Sequence, residues 1–163
     1  MNRLFIFSAA LGVLLFGFVA NPGATNALTV SLLTDESCVP GTTLEFSVYI
    51  TEFSGETLEG YAIRLSYDTS ILTNPSVVTA GTLSDGKKIE EGVPADGVGN
   101  YSIGVFSGLG ANSDGVLIKV RFTVADSFTG TKSITFAGPG KQTLLFDGSF
   151  NPIAATYTDG SYM

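Results

Sequence analysis

The chain has 163 residues, with 8 Lys and Arg against 15 Asp and Glu, a formal charge of −7, a single cysteine, and no histidine or tryptophan. The missing histidine excludes Ser-His-Asp and Cys-His catalysis and every His-based zinc or iron site; one cysteine excludes an intramolecular disulfide and paired-thiolate metal centres. The acidic balance speaks against a nucleic-acid binder, which needs a basic stripe to meet phosphates, and the length fits one domain with a full core.

Residues 1–27 read as a secretory signal peptide. Arg3 supplies the positive start, and Leu4 to Ala20 follow without a charge. Pro22 and Gly23 then break the helix, and Thr25-Asn26-Ala27 offers small residues at the −3 and −1 positions of a cleavage site. The apolar run falls short of the roughly 20 residues of a spanning helix. The expected mature domain is 28–163, with no membrane contact after cleavage and an extracellular or cell-surface location. Cys38 has no partner in the chain and is expected as a buried small hydrophobe or lone thiol.

From residue 28 onward the dominant signal is period two, the mark of half-buried strands. Leu44, Phe46, Val48 and Ile50 alternate with Glu45, Ser47, Tyr49 and Thr51. Tyr61, Ile63, Leu65 and Tyr67 alternate with Gly60, Ala62, Arg64 and Ser66. Val116, Ile118, Val120, Phe122 and Val124 alternate with Leu117, Lys119, Arg121 and Thr123, so the second set is expected to face outward. Shorter strands are expected at 28–33, 76–80, 100–106, 132–136, 143–146 and 152–158, with an edge strand near Lys88 to Glu91. Asp-Gly pairs at 85–86, 96–97, 114–115, 147–148 and 159–160 mark the turns between them. This spacing predicts an all-β antiparallel sandwich or barrel.

Catalytic signatures are missing. The stretch Gly138 to Thr143 fails as a phosphate loop, because Thr135 stands where the first glycine belongs and Gln142 replaces the hydroxyl residue. Asn112-Ser113-Asp114-Gly115 fails as an EF-hand, since Gly110 occupies the first ligand position. No cofactor is expected; a loop calcium is conceivable but has no assignable residues. The adjacent carboxylates Asp35-Glu36 and Glu90-Glu91 sit on extended chain, where neighbours point to opposite faces, so neither pair makes an acid/base couple. The chain is not expected to be an enzyme.

The order of motifs resembles the cohesin domain family over nearly the whole of 28–163. The resemblance rests on Leu28 to Leu33, on Val39-Pro40-Gly41-Thr42-Thr43-Leu44-Glu45-Phe46-Ser47-Val48-Tyr49-Ile50, and on Leu58 to Asp68 ending in Tyr67-Asp68 before Ile71-Leu72. It continues through Val77 to Gly81, Val105-Phe106-Ser107, Asp114 to Val124 and Asp159-Gly160-Ser161-Tyr162. The resemblance implies a nine-stranded jelly-roll sandwich related to cellulose-binding modules. It also implies a non-catalytic role holding dockerin modules, in extracellular polysaccharide-degrading or surface assemblies. The family's docking face lies on the sheet of strands matching 60–66, 100–106 and 117–124. On that analogy Arg64, Lys119 and Arg121 form one basic face for an acidic partner, with Ala62 and Val105 as a flat apolar contact. The family's central Asn and Asp contacts fall on Gly60 and Ala62, and a further acidic contact falls near Gly108, so the usual polar anchors are replaced.

Two alternatives belong to other classes. A carbohydrate-binding module would stack sugars on exposed aromatics, for which Tyr49, Tyr61, Tyr101 and Tyr157 are the candidates. A structural subunit of an extracellular filament or layer would pair through edge strands.

Overall fold

The computed structural model describes residues 27–34, 37–93, 99–127, 129–137 and 143–163. Residues 1–26 of the expected signal peptide 1–27, the Asp35-Glu36 pair and residues 138–142 of the stretch weighed as a phosphate loop lie outside these residues. The described residues hold twelve strands: β1 (Leu28–Leu33), β2 (Thr43–Thr51), β3 (Gly60–Ser66), β4 (Leu72–Val78), β5 (Glu90–Gly92), β6 (Asn100–Val105), β7 (Gly115–Val124), β8 (Lys132–Phe136), β9 (Leu144–Phe146), β10 (Pro152–Ile153), β11 (Ala155–Thr158) and β12 (Gly160–Tyr162).

The strands form two sheets facing each other across one core. The first runs β11-β1-β2-β7-β4. The second runs β10-β9-β3-β6-β5, with β8 joined to β3 and β12 to β8. One edge of β3 is shared: Gly60 to Ala62 pair with β9, and Leu65 and Ser66 pair with β8. Of the sandwich or barrel that the alternation predicts, the chain forms the sandwich, and it is the jelly roll that the resemblance implies. The strands outnumber the expected nine because turns and breaks at Asp147, Ala154 and Asp159 divide the last part of the chain into short pieces. One pairing departs from the antiparallel expectation, since β11 runs parallel to β1 with Leu28 opposite Ala155.

The inward residues of β2 and β3, and of β7 from Ile118 onward, are the ones the alternation named. Phe46, Val48, Ile50, Ile63, Leu65, Val120 and Phe122 are fully or almost fully buried. An edge-to-face aromatic group ties the layers together: Phe46 lies 6.1 Å from Phe122 and 5.8 Å from Tyr162. Cys38 is buried as a small hydrophobe, and burial pushes its thiol pKa up.

Two strands depart from the simple pattern at bulges. Val48 faces Ile118 but Tyr49 faces Val116, so Leu117 is an extra residue on β7. The bulge reverses the phase: Leu117 is fully buried, and Val116 takes the outward position beside Tyr49. The turns of 79–87 cover this end. Leu83 N–H donates to Val116 O at 2.8 Å, and Ser84 Oγ donates to Leu117 O at 2.7 Å. In β4 the register shifts between Thr73 and Ser76, around Asn74 (φ 50°) and Pro75. Proline and left-handed backbone interrupt alternation, so the strand starts at Leu72, ahead of the expected 76.

Candidate functional site

The sheet β9-β3-β6-β5 has an outer face built from the second phase of each strand. Ala62 stands opposite Gly104 on β6 and Leu144 on β9, and Gly104 opposite Glu90 on β5. The next row is Arg64, Ser102 and Gly92, and on the other side Gly60 pairs with Phe146.

Glycine at two of these outward positions makes room for aromatic rings. A Cβ on Gly60 would lie 2.2 Å from the Phe146 ring and 2.4 Å from Val105 O. A Cβ on Gly104 would lie 2.9 Å from the Phe106 ring. Phe146 and Phe106 therefore lie down on the sheet over bare backbone. Their rings are near-parallel at 6.3 Å, and Phe150 continues the series at 5.5 Å from Phe146. Phe146 is enclosed, whereas Phe106 is 50 % and Phe150 67 % exposed. Leu144, 45 % exposed, extends the apolar surface. It borders a cavity of about 490 Å³ whose lining includes Phe136, Pro152, Ile153 and Tyr157.

Phe150 is held in place by its turn. Asp147 Oδ1 accepts from the backbone N–H of Ser149 at 2.8 Å and of Asn151 at 2.9 Å, and Oδ2 accepts from Asn151 Nδ2 at 3.1 Å. These bonds hold the Asp147 carboxyl below the usual carboxylate range. Phe150 itself has φ 61°, a left-handed conformation that costs a non-glycine residue about 1–2 kcal/mol.

Charges frame the face unevenly. Beyond Phe106, Lys87 Nζ donates to Gly108 O at 2.5 Å, and Lys88 pairs with Glu90 at 2.5 Å. Glu91, on the inward phase at the sheet edge, accepts from Tyr101 OH. At the Phe150 end stand Asp147 and Glu59, whose Cγ approaches the place of a Cβ on Gly148 to 3.4 Å.

The expected basic face does not form. Arg64 is on β3 of one sheet, while Lys119 and Arg121 are on β7 of the other, so they point out of opposite sides of the sandwich. Strand phase is local, but the sheet to which a strand belongs is set by distant pairing. Lys119 Nζ and Arg121 Nη2 reach the two carboxylate oxygens of Glu45 at 2.9 and 2.8 Å. Burial raises the Glu45 pKa, but the hydrogen bonds and charges of Lys119 and Arg121 outweigh it and hold the group below its usual value. Val105 is 1 % exposed and belongs to the core, so it offers no contact; Ala62 lies on the outer face as expected. Among the tyrosines expected as sugar platforms, Tyr61 and Tyr101 are buried and Tyr49 is half-buried, while Tyr157 is exposed and lines the cavity beside Phe136. On the outer face of β9-β3-β6-β5 the exposed rings are phenylalanines, Phe106 and Phe150. Gly104 two residues before Phe106, on the same face of the expected strand 100–106, was the available signal; Gly60 meets Phe146 only through pairing across strands.

Among the described residues no group of three His, Cys, Asp or Glu side chains gathers to hold a metal, and no helix is long and apolar enough to cross a membrane.

The family model for the cohesin domain matches residues 28–162. The chain belongs to the cohesin family. As a cohesin it is a non-catalytic interaction domain rather than an enzyme. The fold of this cohesin is shared with solved structures of low identity. A non-cellulosomal cohesin from the hyperthermophilic archaeon Archaeoglobus fulgidus is 18 % identical with TM-score 0.67, covering 84 % of this chain and 90 % of its own. A type I cohesin–dockerin complex from Clostridium thermocellum is 14 % identical with TM-score 0.67, covering 84 % and 98 %. The sixth cohesin of scaffoldin B from Acetivibrio cellulolyticus, in complex with a Cel5 dockerin mutant, is 15 % identical with TM-score 0.67, covering 84 % and 98 %. No curated protein matches this cohesin.

Proposed function

We propose that this cohesin docks a dockerin-type partner module on the outer face of the β9-β3-β6-β5 sheet, and that residues 1–27 direct it out of the cell. The observation that carries the reading is the flat face of Ala62, Gly104 and Leu144 with exposed phenylalanines beside it, in a chain of the cohesin family. Complexes of similar cohesins with dockerins support the kind of partner. Exposed apolar area of this sort marks interaction surfaces.

The opposite placement of the cations makes the test. Recombinant dockerin modules are titrated against the native protein, an Arg64→Glu variant and a Lys119→Glu/Arg121→Glu variant. Arg64→Glu is expected to weaken binding at least tenfold, while the double variant binds as the native protein does. Loss of binding in the double variant alone would move docking to the other sheet. No binding of any dockerin would overturn the reading.

A further inference from the structure

Among the described residues the sheet edges are blunted against a further strand, with one exception. β4 is bent at Asn74 and Pro75, where its register shifts. β5 is three residues long and carries Glu90, paired with Lys88. β10 is two residues long and starts at Pro152. β12 is three residues long, and just beyond it Met163 O accepts from Cys38 N–H at 3.2 Å. Short length, proline, charge and bulges all deter edge pairing. β11, the outer strand of the first sheet, is Ala155-Thr156-Tyr157-Thr158, with no charge, proline or bulge.

Its pairing shows which of its groups are open. β11 runs parallel to β1, with Leu28 opposite Ala155 and Val30 opposite Tyr157, and Leu28 N–H donates to Ala154 O at 3.1 Å. In a parallel ladder of this register Thr156 turns its N–H and C=O to β1. Ala155 and Tyr157 therefore turn theirs to the free edge. The side chains of the same two residues line the cavity beside β11, with Leu144 and Ile153, so there is space next to the strand. The Tyr157 ring is fixed there: it lies 5.3 Å from Phe136, and its OH donates to Thr143 O at 3.0 Å.

This edge is complementary to itself. Two copies of β11 can run antiparallel about a two-fold axis at Thr156. Ala155 of each copy then stands opposite Tyr157 of the other, and each pair exchanges two main-chain hydrogen bonds through the groups that β1 leaves open. The small Ala155 side chain leaves room for the second copy's ring, which covers the apolar side of the cavity. Asp159 is the carboxylate that follows the strand. Antiparallel pairing sets its two copies roughly 20 Å apart along the strands, beyond a Debye length at physiological salt.

We propose that β11 is a self-association edge, at which a second copy of this chain adds its own β11 to give a two-fold dimer with one continuous sheet. An isologous contact of this kind closes at two copies and does not grow into a filament. The proposal stands apart from the docking reading. β11 and the docking face belong to different sheets, so the dimer presents two docking faces.

All the described strands and the whole core lie within 28–163, so that domain serves for the test. Sedimentation is expected to show a reversible dimer with a dissociation constant of about 10–100 μM, as suits a small interface. Ala155→Pro removes an N–H that β1 does not use, and Thr156→Lys sets two like charges together at the axis. Each is expected to weaken the dimer at least tenfold with the circular dichroism of the native fold, whereas Ser76→Lys, on the opposite edge strand β4, changes nothing. The register has its own readout. Opposed Thr156 residues stand about 4.5 Å apart at Cα, within disulfide reach. Thr156→Cys is therefore expected to cross-link two copies on mild oxidation, and Thr158→Cys is not; Cys38 is buried and does not compete. A protein that stays monomeric up to about 500 μM would overturn the proposal. So would a dimer that Ala155→Pro and Thr156→Lys leave intact, one that Ser76→Lys breaks, or cross-linking through Thr158→Cys in place of Thr156→Cys. A monomer that loses dockerin binding in Ala155→Pro would assign the edge to a partner protein and overturn self-association.

Discussion

Ser84 is one of the few fully buried polar side chains, and it sits between two elements. Its hydroxyl donates to Leu117 O at 2.7 Å and meets Tyr61 OH at 2.8 Å. The link ties the 79–87 turns to β7 of one sheet and β3 of the other. Removing one partner of a buried hydrogen bond leaves the rest unsatisfied, at about 1–3 kcal/mol. Ser84→Ala is therefore expected to cost about 2 kcal/mol, since it strands both Tyr61 OH and Leu117 O. Tyr61→Phe should cost only about 1 kcal/mol, since Ser84 keeps its carbonyl. Urea denaturation of the two variants checks the order; equal costs would mean that the link is not structural.

The bulge in β7 is the feature of element scale on which the packing of that end depends. Plain alternation puts Leu117 in solvent, where truncation would cost almost nothing. The extra residue at the bulge turns Leu117 fully into the core instead. Truncating a buried leucine costs about 3–5 kcal/mol through lost transfer energy and the cavity left behind. Leu117→Ala is expected to lower the urea midpoint accordingly, with unchanged slope. An effect below about 0.5 kcal/mol would return Leu117 to the surface. The same reasoning explains β4, where Asn74 and Pro75 add a residue at the sheet edge and hide the strand from any count of alternation.

At the scale of the molecule, titration follows from composition and burial together. Glu45, Asp68 and Asp147 have carboxyl pKa values below their ordinary ones. A depressed folded pKa gives stability that is present above the unfolded value and is lost as pH falls through the folded one. Burial pushes the phenol pKa of Tyr61 and of Tyr162 from 10.0 up to about 12. A raised pKa gives stability that is present in full below the unfolded value and is lost as pH rises towards the folded one. With no histidine, Cys38 is the one side chain whose ordinary range lies between these, and burial pushes its thiol up. The thermal midpoint is expected to be flat from about pH 5 to pH 8.5, falling on either side. A slope inside that interval would show a perturbed group that burial and pairing do not account for.

Much of the fold was legible because alternation is a local property. Each residue's face follows from its place on the pleat, so Phe46, Ile63, Leu65 and Val120 could be assigned to the core one strand at a time. Turn residues likewise separated the strands, and the motif order pointed to the family that the model over 28–162 identifies. The composition by itself removed histidine-dependent catalysis and disulfide stapling. Only the tertiary structure decided which strands share a sheet, because pairing joins residues far apart in sequence. It separated Arg64 from Lys119 and Arg121, gave the last two to Glu45, and turned Val105 inward. It also assembled the phenylalanine ladder, whose rings come from two separate segments, Phe106 from one and Phe146 and Phe150 from the other, with Gly60 and Gly104 leaving the sheet bare beneath Phe146 and Phe106.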